Sequence, residues 1–266
     1  MKIGFIGCGN MGGALARAVA KQAGNTLLLS DTAYEKAEAL ALEIGAVALD
    51  EDARCGVYEC DVIFLGVKPG GASGALWDIR NNRQTPTPPI IVSMAAGVVI
   101  GDIEKAGPKG AEVIRIMPNT PVSVGEGMVL YALGSKVKEG TEALFLSLMS
   151  NAGKLIRLEE NQIDKATAIS GCGPAYAFMF LEAMIDGGLA IGLPYELSKT
   201  LAAQTLLGSA KTAMATELHP AALRSAVCSP GGSTIEGVMK LEEGGLRSSV
   251  EDAIRAAYDK TTKLGK

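Results

Sequence analysis

The chain has little of what most catalytic sites are made from. One histidine, His219, occurs in 266 residues. It stands before Pro220 where a helix would start, no Ser/His/Asp or Cys/His arrangement is found with it, and the residue reads as structural in preference to a proton relay. Strong acid–base machinery is therefore not required of it. The five cysteines, Cys8, Cys55, Cys60, Cys172 and Cys228, are scattered, odd in number and never spaced Cys-x-x-Cys. This excludes a disulfide framework and a zinc site, leaves the expected metal content at none, and suits a reducing, cytoplasmic setting. Basic residues are outnumbered, with a net charge of −4, which argues against a nucleic-acid surface. Long unbroken apolar runs are missing too. Lys2–Ile6 is too short for a secretory leader, and Ala175–Leu193 is interrupted by Glu182, Asp186 and glycines, which predicts a buried helix and no membrane span.

What is present is an Ala/Gly/Leu-rich composition, 48% hydrophobic and 20% charged with only 5% aromatic residues, as in a soluble globule with closely packed helices. Through residue 159 short apolar runs alternate with helical patterns, the signature of βαβ units and a mostly parallel sheet. Strands are predicted at Lys2–Gly7, Thr26–Asp31, Val62–Val67, Ile90–Ala95, Glu112–Met117, Gly127–Ala132 and Lys154–Leu158, with helices such as Gly12–Gln22 and Ala33–Leu42 between them. From Glu160 onward the β-branched runs disappear. Helices are predicted at Asn161–Ser170, Pro174–Ile191, Pro194–Thr216, Pro220–Val227, Ser233–Glu243 and Leu246–Leu264, with Gly192, Gly244 and Gly265 at their stops. The expected architecture is an α/β Rossmann-like domain over residues 1–159 and an all-α domain over 160–266. A helical half with so few aromatics buries modest area per residue, which predicts a homodimer built through it.

The segment Gly7-Cys8-Gly9-Asn10-Met11-Gly12 follows an apolar strand and opens a helix. Gly9 lets the backbone approach a pyrophosphate, and Gly12 lets helix and strand pack closely. Asp31 ends the second strand about twenty residues on, next to Ser30, where a carboxylate accepts hydrogen bonds from a ribose and repels a 2′-phosphate. That favours NADH, whereas Ser30, Thr32 and Arg54 at the same edge would suit NADPH. Val67-Lys68-Pro69, Ala95-Ala96 and Asn119 (within Met117-Pro118-Asn119-Thr120-Pro121) end later strands on the edge where cofactor and substrate meet. Near the other end of the chain, Ser229-Pro230-Gly231-Gly232-Ser233-Thr234 precedes an amphipathic helix whose first-turn amides have no intrahelical partners. A carboxylate or phosphate fits there; a simple helix cap is the alternative.

Together with Gly171-Cys172-Gly173-Pro174-Ala175-Tyr176, these motifs, in unbroken order over essentially the whole chain, closely resemble the Δ1-pyrroline-5-carboxylate reductases. The resemblance implies hydride transfer from NADPH or NADH to 1-pyrroline-5-carboxylate, giving L-proline in the last step of proline biosynthesis. It also implies a Rossmann domain joined to a helical dimerisation domain, with dimers assembling into larger rings such as a decamer. Residue by residue, it places the substrate carboxylate on Gly231, Gly232, Ser233 and Thr234, aims Thr234 at the ring nitrogen as the catalytic contact, and puts Glu160 and Glu217 along the proline site. A cyclic imine is electrophilic once protonated, which agrees with the missing histidine base. The chain departs from the family pattern at Cys172, Ser225-Ala226 and Ala53. The competing reading is a related two-domain imine or β-hydroxyacid reductase, for which Lys165 is the one candidate acid–base; a binding protein without turnover is a further alternative.

Overall fold

A computed structural model of the chain describes residues 1–53 and 55–264. Arg54 and Gly265, named above, lie outside the described residues. In chain order the elements are β1 (Lys2–Ile6), α1 (Asn10–Ala20), β2 (Thr26–Ser30), α2 (Tyr34–Ile44), β3 (Val47–Ala48), α3 (Cys55–Tyr58), β4 (Val62–Leu65), α4 (Pro69–Asn82), β5 (Ile90–Ser93), α5 (Ile100–Ala106), β6 (Glu112–Met117), a 3-10 turn (Thr120–Val124), β7 (Gly127–Leu133), α6 (Glu139–Leu148) and β8 (Gly153–Arg157). The helices α7 (Glu160–Ser170), α8 (Gly173–Ala190), α9 (Tyr195–Ala215), α10 (Pro220–Ala226), α11 (Ser233–Glu243) and α12 (Leu246–Leu264) follow.

The chain forms two compact units, one of Met1–Cys172 joined by the chain from Ala257, the other of Gly173–Ala256. The first unit is built on one sheet in the order β3-β2-β1-β4-β5-β6-β7-β8. Every neighbouring pair is parallel except β6 and β7, which run antiparallel. The carboxyl ends of β1, β2, β4, β5 and β6 therefore share one edge, and the strand order reverses beside β1, where open α/β sheets bind ligands. Side chains from alternate strand positions feed two cores, one on each face. Phe5, Phe64, Ile114 and Ile116 lie in one of them; Ile63, Leu65, Ile91, Val113 and, from α7, Ile163 lie in the other. Phe5 and Phe64 stack with centroids 4.5 Å apart. Burial of Ile163 is what seats α7 in the first unit.

In the second unit α8 crosses α9 closely. A Cβ on Gly188 would sit 2.5 Å from Ser198 Oγ, so only glycine permits the approach. The expectation of a buried helix over Ala175–Leu193 is corrected here: within its own chain only Ile185 of α8 is buried, while Phe178 and Met179 lie exposed. Apolar composition announces that a surface is to be covered but not by what. By length and composition alone the stretch Glu160–Ala190 could cross a membrane, although Glu160 and Asp164 within it are ion-paired to Arg115.

Candidate active site

The glycine loop is shaped by contacts only glycine allows. Gly7 has φ +97°, a region closed to most side chains, and its amide donates to Ser30 O at 2.8 Å. A Cβ on Gly12 would lie 2.0 Å from Gly7 O, and one on Gly7 2.6 Å from Gly66 O. Three backbones thus meet at Gly7, Gly12 and Gly66. Gly9 is different: a Cβ there would touch nothing within 4 Å. Its lack of a side chain serves no contact inside the protein, which fits an outside group approaching the backbone. The helix beyond it is open as well, since Gly9 caps α1 with no side-chain hydrogen bond and the amides of its first turn have no intrahelical partners. A dinucleotide pyrophosphate fits this arrangement.

Cys8 is buried beneath the loop. Burial first, and the Asp31 charge second, push its thiol up to about 12, so it stays protonated. Asp31 folds back under the loop: Oδ2 accepts from Cys8 N at 2.6 Å and Oδ1 from Ala33 N at 2.9 Å. Along the same edge Lys68 is exposed in extended conformation ahead of Pro69, the first residue of α4. Ala95 is buried and Ala96 half-buried, Ala95 N donating to Ser93 Oγ at 3.4 Å. Asn119 has both ends of its amide engaged, Nδ2 donating to Ser170 O and Oδ1 accepting from Met128 N, each at 2.8 Å. This pins the last turn of α7 to the end of β6.

Glu160 is held from two sides. Its Oε1 accepts from Ile100 N at 2.7 Å and from Arg115 Nη1 at 3.3 Å. Arg115, at 1% exposure in the middle of β6, also donates to Asp164 at 2.7 Å. One guanidinium therefore ties the first two turns of α7 to the sheet. Glu160 borders a cleft of about 300 Å³ with Ile100, Glu104, Gly134 and Arg157. Lys165, one residue beyond Asp164, is exposed.

The second unit carries the late turn. Gly231 has φ +67° and Gly232 caps α11 in extended conformation without any side-chain hydrogen bond. Neither Ser229 nor Ser233 caps the helix, so its first-turn amides stay free of side-chain partners. Ser233 and Thr234 are exposed, as is Glu217 between α9 and α10. His219 caps α10, its Nδ1 accepting from Ala221 N at 3.2 Å, which fulfils the structural reading of that residue.

Two residues escaped the sequence reading. Gly66 closes the three-backbone contact, and nothing in its neighbours signals that. Arg115 did leave a trace, because a charge inside Val113-Ile114-Arg115-Ile116 breaks an otherwise apolar strand and must be paired if buried.

A mostly parallel sheet with an open glycine loop at its switch point, followed by a helical unit, defines a two-part nicotinamide-dependent oxidoreductase. Comparison with known proteins narrows the class. Residues 160–264 match the family described as pyrroline-5-carboxylate reductase dimerisation, and residues 2–97 match the coenzyme F420-dependent NADP oxidoreductases. The chain is 41% identical over 270 residues to pyrroline-5-carboxylate reductase 2 of Bos taurus, covering 99% of this chain and 84% of that one. It is 35% identical over 273 residues to pyrroline-5-carboxylate reductase of Arabidopsis thaliana, covering 99% and 95%. A crystal structure of the Plasmodium falciparum pyrroline carboxylate reductase with NADP bound superposes with TM-score 0.88 at 30% identity, covering 100% of this chain and 98% of that one. The chain belongs to the pyrroline-5-carboxylate reductase family. The Rossmann-like fold and the helical dimerisation part follow as expected.

Proposed function

We propose that the protein reduces 1-pyrroline-5-carboxylate to L-proline with NADPH or NADH, as the last step of proline biosynthesis. The observation that carries the reading beyond family membership is the uncapped start of α11. There the amides following Gly231 and Gly232, with the hydroxyls of Ser233 and Thr234, form a neutral donor set for a small carboxylate. Family membership and the NADP in the Plasmodium structure support the cofactor; Gly7, Cys8, Gly9, Asn10, Met11 and Gly12 would hold its pyrophosphate. Ser30, Asp31, Val67, Lys68, Pro69, Ala95, Ala96 and Asn119 line the same sheet edge in this reading. When bound, the nicotinamide supplies a hydride.

The chain's own part is to bind and orient. Donors on α11 fix the carboxylate, Thr234 hydrogen-bonds the ring nitrogen, and the imine carbon is thereby held in a single pose. Glu217 lies near the same turn in sequence and supplies negative charge toward a protonated imine. In this reading Glu160 is a further acidic residue of the proline site. Hydride addition to a protonated imine removes no proton and so needs no base, in keeping with His219 serving as a helix cap. The same reading divides the chain into a dinucleotide-binding part, 1–159, and a helical substrate and dimerisation part, 160–266; the dimerisation match from residue 160 supports that division, whereas packing seats α7 in the first unit. It also includes assembly of dimers into a decamer, and a cytoplasmic location, which five free thiols support. The test is oxidation of NADPH and of NADH by purified protein with 1-pyrroline-5-carboxylate. Turnover with either supports the proposal, and none with both defeats it.

A further inference from the structure

Asp31 stands where a Rossmann fold keeps its ribose-reading acid, yet its carboxylate is turned to the protein. Oδ2 accepts from Cys8 N at 2.6 Å, and Oδ1 accepts from Ala33 N at 2.9 Å and from Thr32 Oγ1 at 3.5 Å. One residue earlier, Ser30 O accepts from Gly7 N at 2.8 Å and from Cys8 Sγ at 3.7 Å. The glycine loop is thus fastened to the end of β2 at two consecutive amides. Beyond them the β2 end gives it no further hold: a Cβ built on Gly9 would meet nothing within 4 Å, and no side chain caps α1. The Cys8 bond is the last hold on the chain before the amides that face a pyrophosphate. It is a charge-assisted bond at short distance, the kind that fixes geometry most strongly.

We infer that Asp31 is a positioning residue for the glycine loop, setting affinity for the pyrophosphate shared by NADH and NADPH and leaving the choice between them nearly untouched. The inference rests on the dinucleotide reading of this loop. Its logic is that both cofactors present the same pyrophosphate to the same amides, while they differ only at the ribose 2′ position. A carboxylate already receiving two backbone donors is engaged with the loop. Removing it loosens what is common to the two ligands.

The experiment measures dissociation constants of NADPH and NADH for the full chain by fluorescence titration, without substrate, in wild type, Asp31→Ala and Asp31→Asn, with thermal unfolding in parallel. Asp31→Ala is expected to weaken both cofactors by roughly tenfold or more, about what losing a hydrogen bond to a charged group does, with the NADPH to NADH ratio kept within about threefold. Asp31→Asn keeps an oxygen that can accept from Cys8 N, so it restores part of the affinity for both at the same ratio; it also remains informative if the alanine variant does not fold. A ratio shifting by more than about threefold toward NADPH in either variant would show that the charge discriminates and would overturn the inference. So would unchanged binding of both cofactors in Asp31→Ala. If wild type binds neither nucleotide, the dinucleotide reading falls with it, a result distinguishable from the other two.

Discussion

Two glycines of one loop make opposite predictions when each is given a methyl group. At position 12 a Cβ would stand 2.0 Å from Gly7 O and 3.1 Å from Gly7 C. Both atoms are backbone, held by the sheet on one side and by α1 on the other, so strand and helix must separate by about an ångström before ordinary contact is reached. Overpacking of that kind costs about 3 kcal/mol, which in a unit of this size lowers Tm by roughly 6–12 °C. At position 9 the methyl meets nothing within 4 Å, and Gly9 has φ −68°, which alanine adopts freely. Stability should hold or rise by about 0.5 kcal/mol through the unfolded chain. Binding should not hold, because the vacant side is where a pyrophosphate comes closest, and a clash of only about 1.4 kcal/mol is tenfold in Kd. Thermal unfolding and nucleotide titration of Gly9→Ala and Gly12→Ala separate the two effects. The reasoning fails if Gly12→Ala melts with the wild type, or if Gly9→Ala binds NADPH and NADH with unaltered Kd.

Other variants probe the remaining parts. Thr234→Ala should leave Tm alone, since the side chain is exposed, and lower kcat roughly tenfold to a thousandfold; a loss below about twofold in steady-state assays removes Thr234 from the mechanism. Arg115→Met strands the carboxylates of Glu160 and Asp164, which are 31% and 33% exposed. Partial hydration tempers the damage to about 3 kcal/mol, near the lower end for a broken buried pair, and an unfolding free energy from urea titration within about 0.5 kcal/mol of wild type would class the cluster with surface pairs. Burial, and then the hydrogen bond to Glu142, push the Tyr131 phenol up to about 12. An acid held protonated by folding adds stability below the unfolded value of about 10 and loses it as pH climbs toward the folded value. Urea midpoints should therefore fall more steeply across that window in wild type than in Tyr131→Phe, and parallel curves would refute the assignment.

The loop at residues 7–12 was legible because its motif encodes local backbone geometry, and the strand Glu112–Met117 has the bounds its mostly apolar run predicts. Direction was harder. An apolar run such as Gly127–Leu133 reads alike in either orientation, although the short link through Pro118 and Pro121 leaves too few residues for a parallel crossover and so carries the hint of an antiparallel β7. Two residues of β3 are too few to show any period. The position of Asp31 was readable, but the side to which its carboxylate turns depends on where Cys8 N and Ala33 N come to lie. Gly66 and the Arg115 cluster belong to contacts between segments distant in sequence, and a linear pattern does not encode those.

The sparse interior of α8 and α9 has a bearing on the molecule's life in solution. With Ile185, Ser198 and Ala202 as the only buried residues of these two helices, the helical part draws its endurance from company. Subunits joined through such a region would be sturdier when abundant than when scarce, because dilution withdraws the partner. Quality control in a cell would then clear orphan chains first, and the amount of working enzyme would rise more steeply than the amount of protein made.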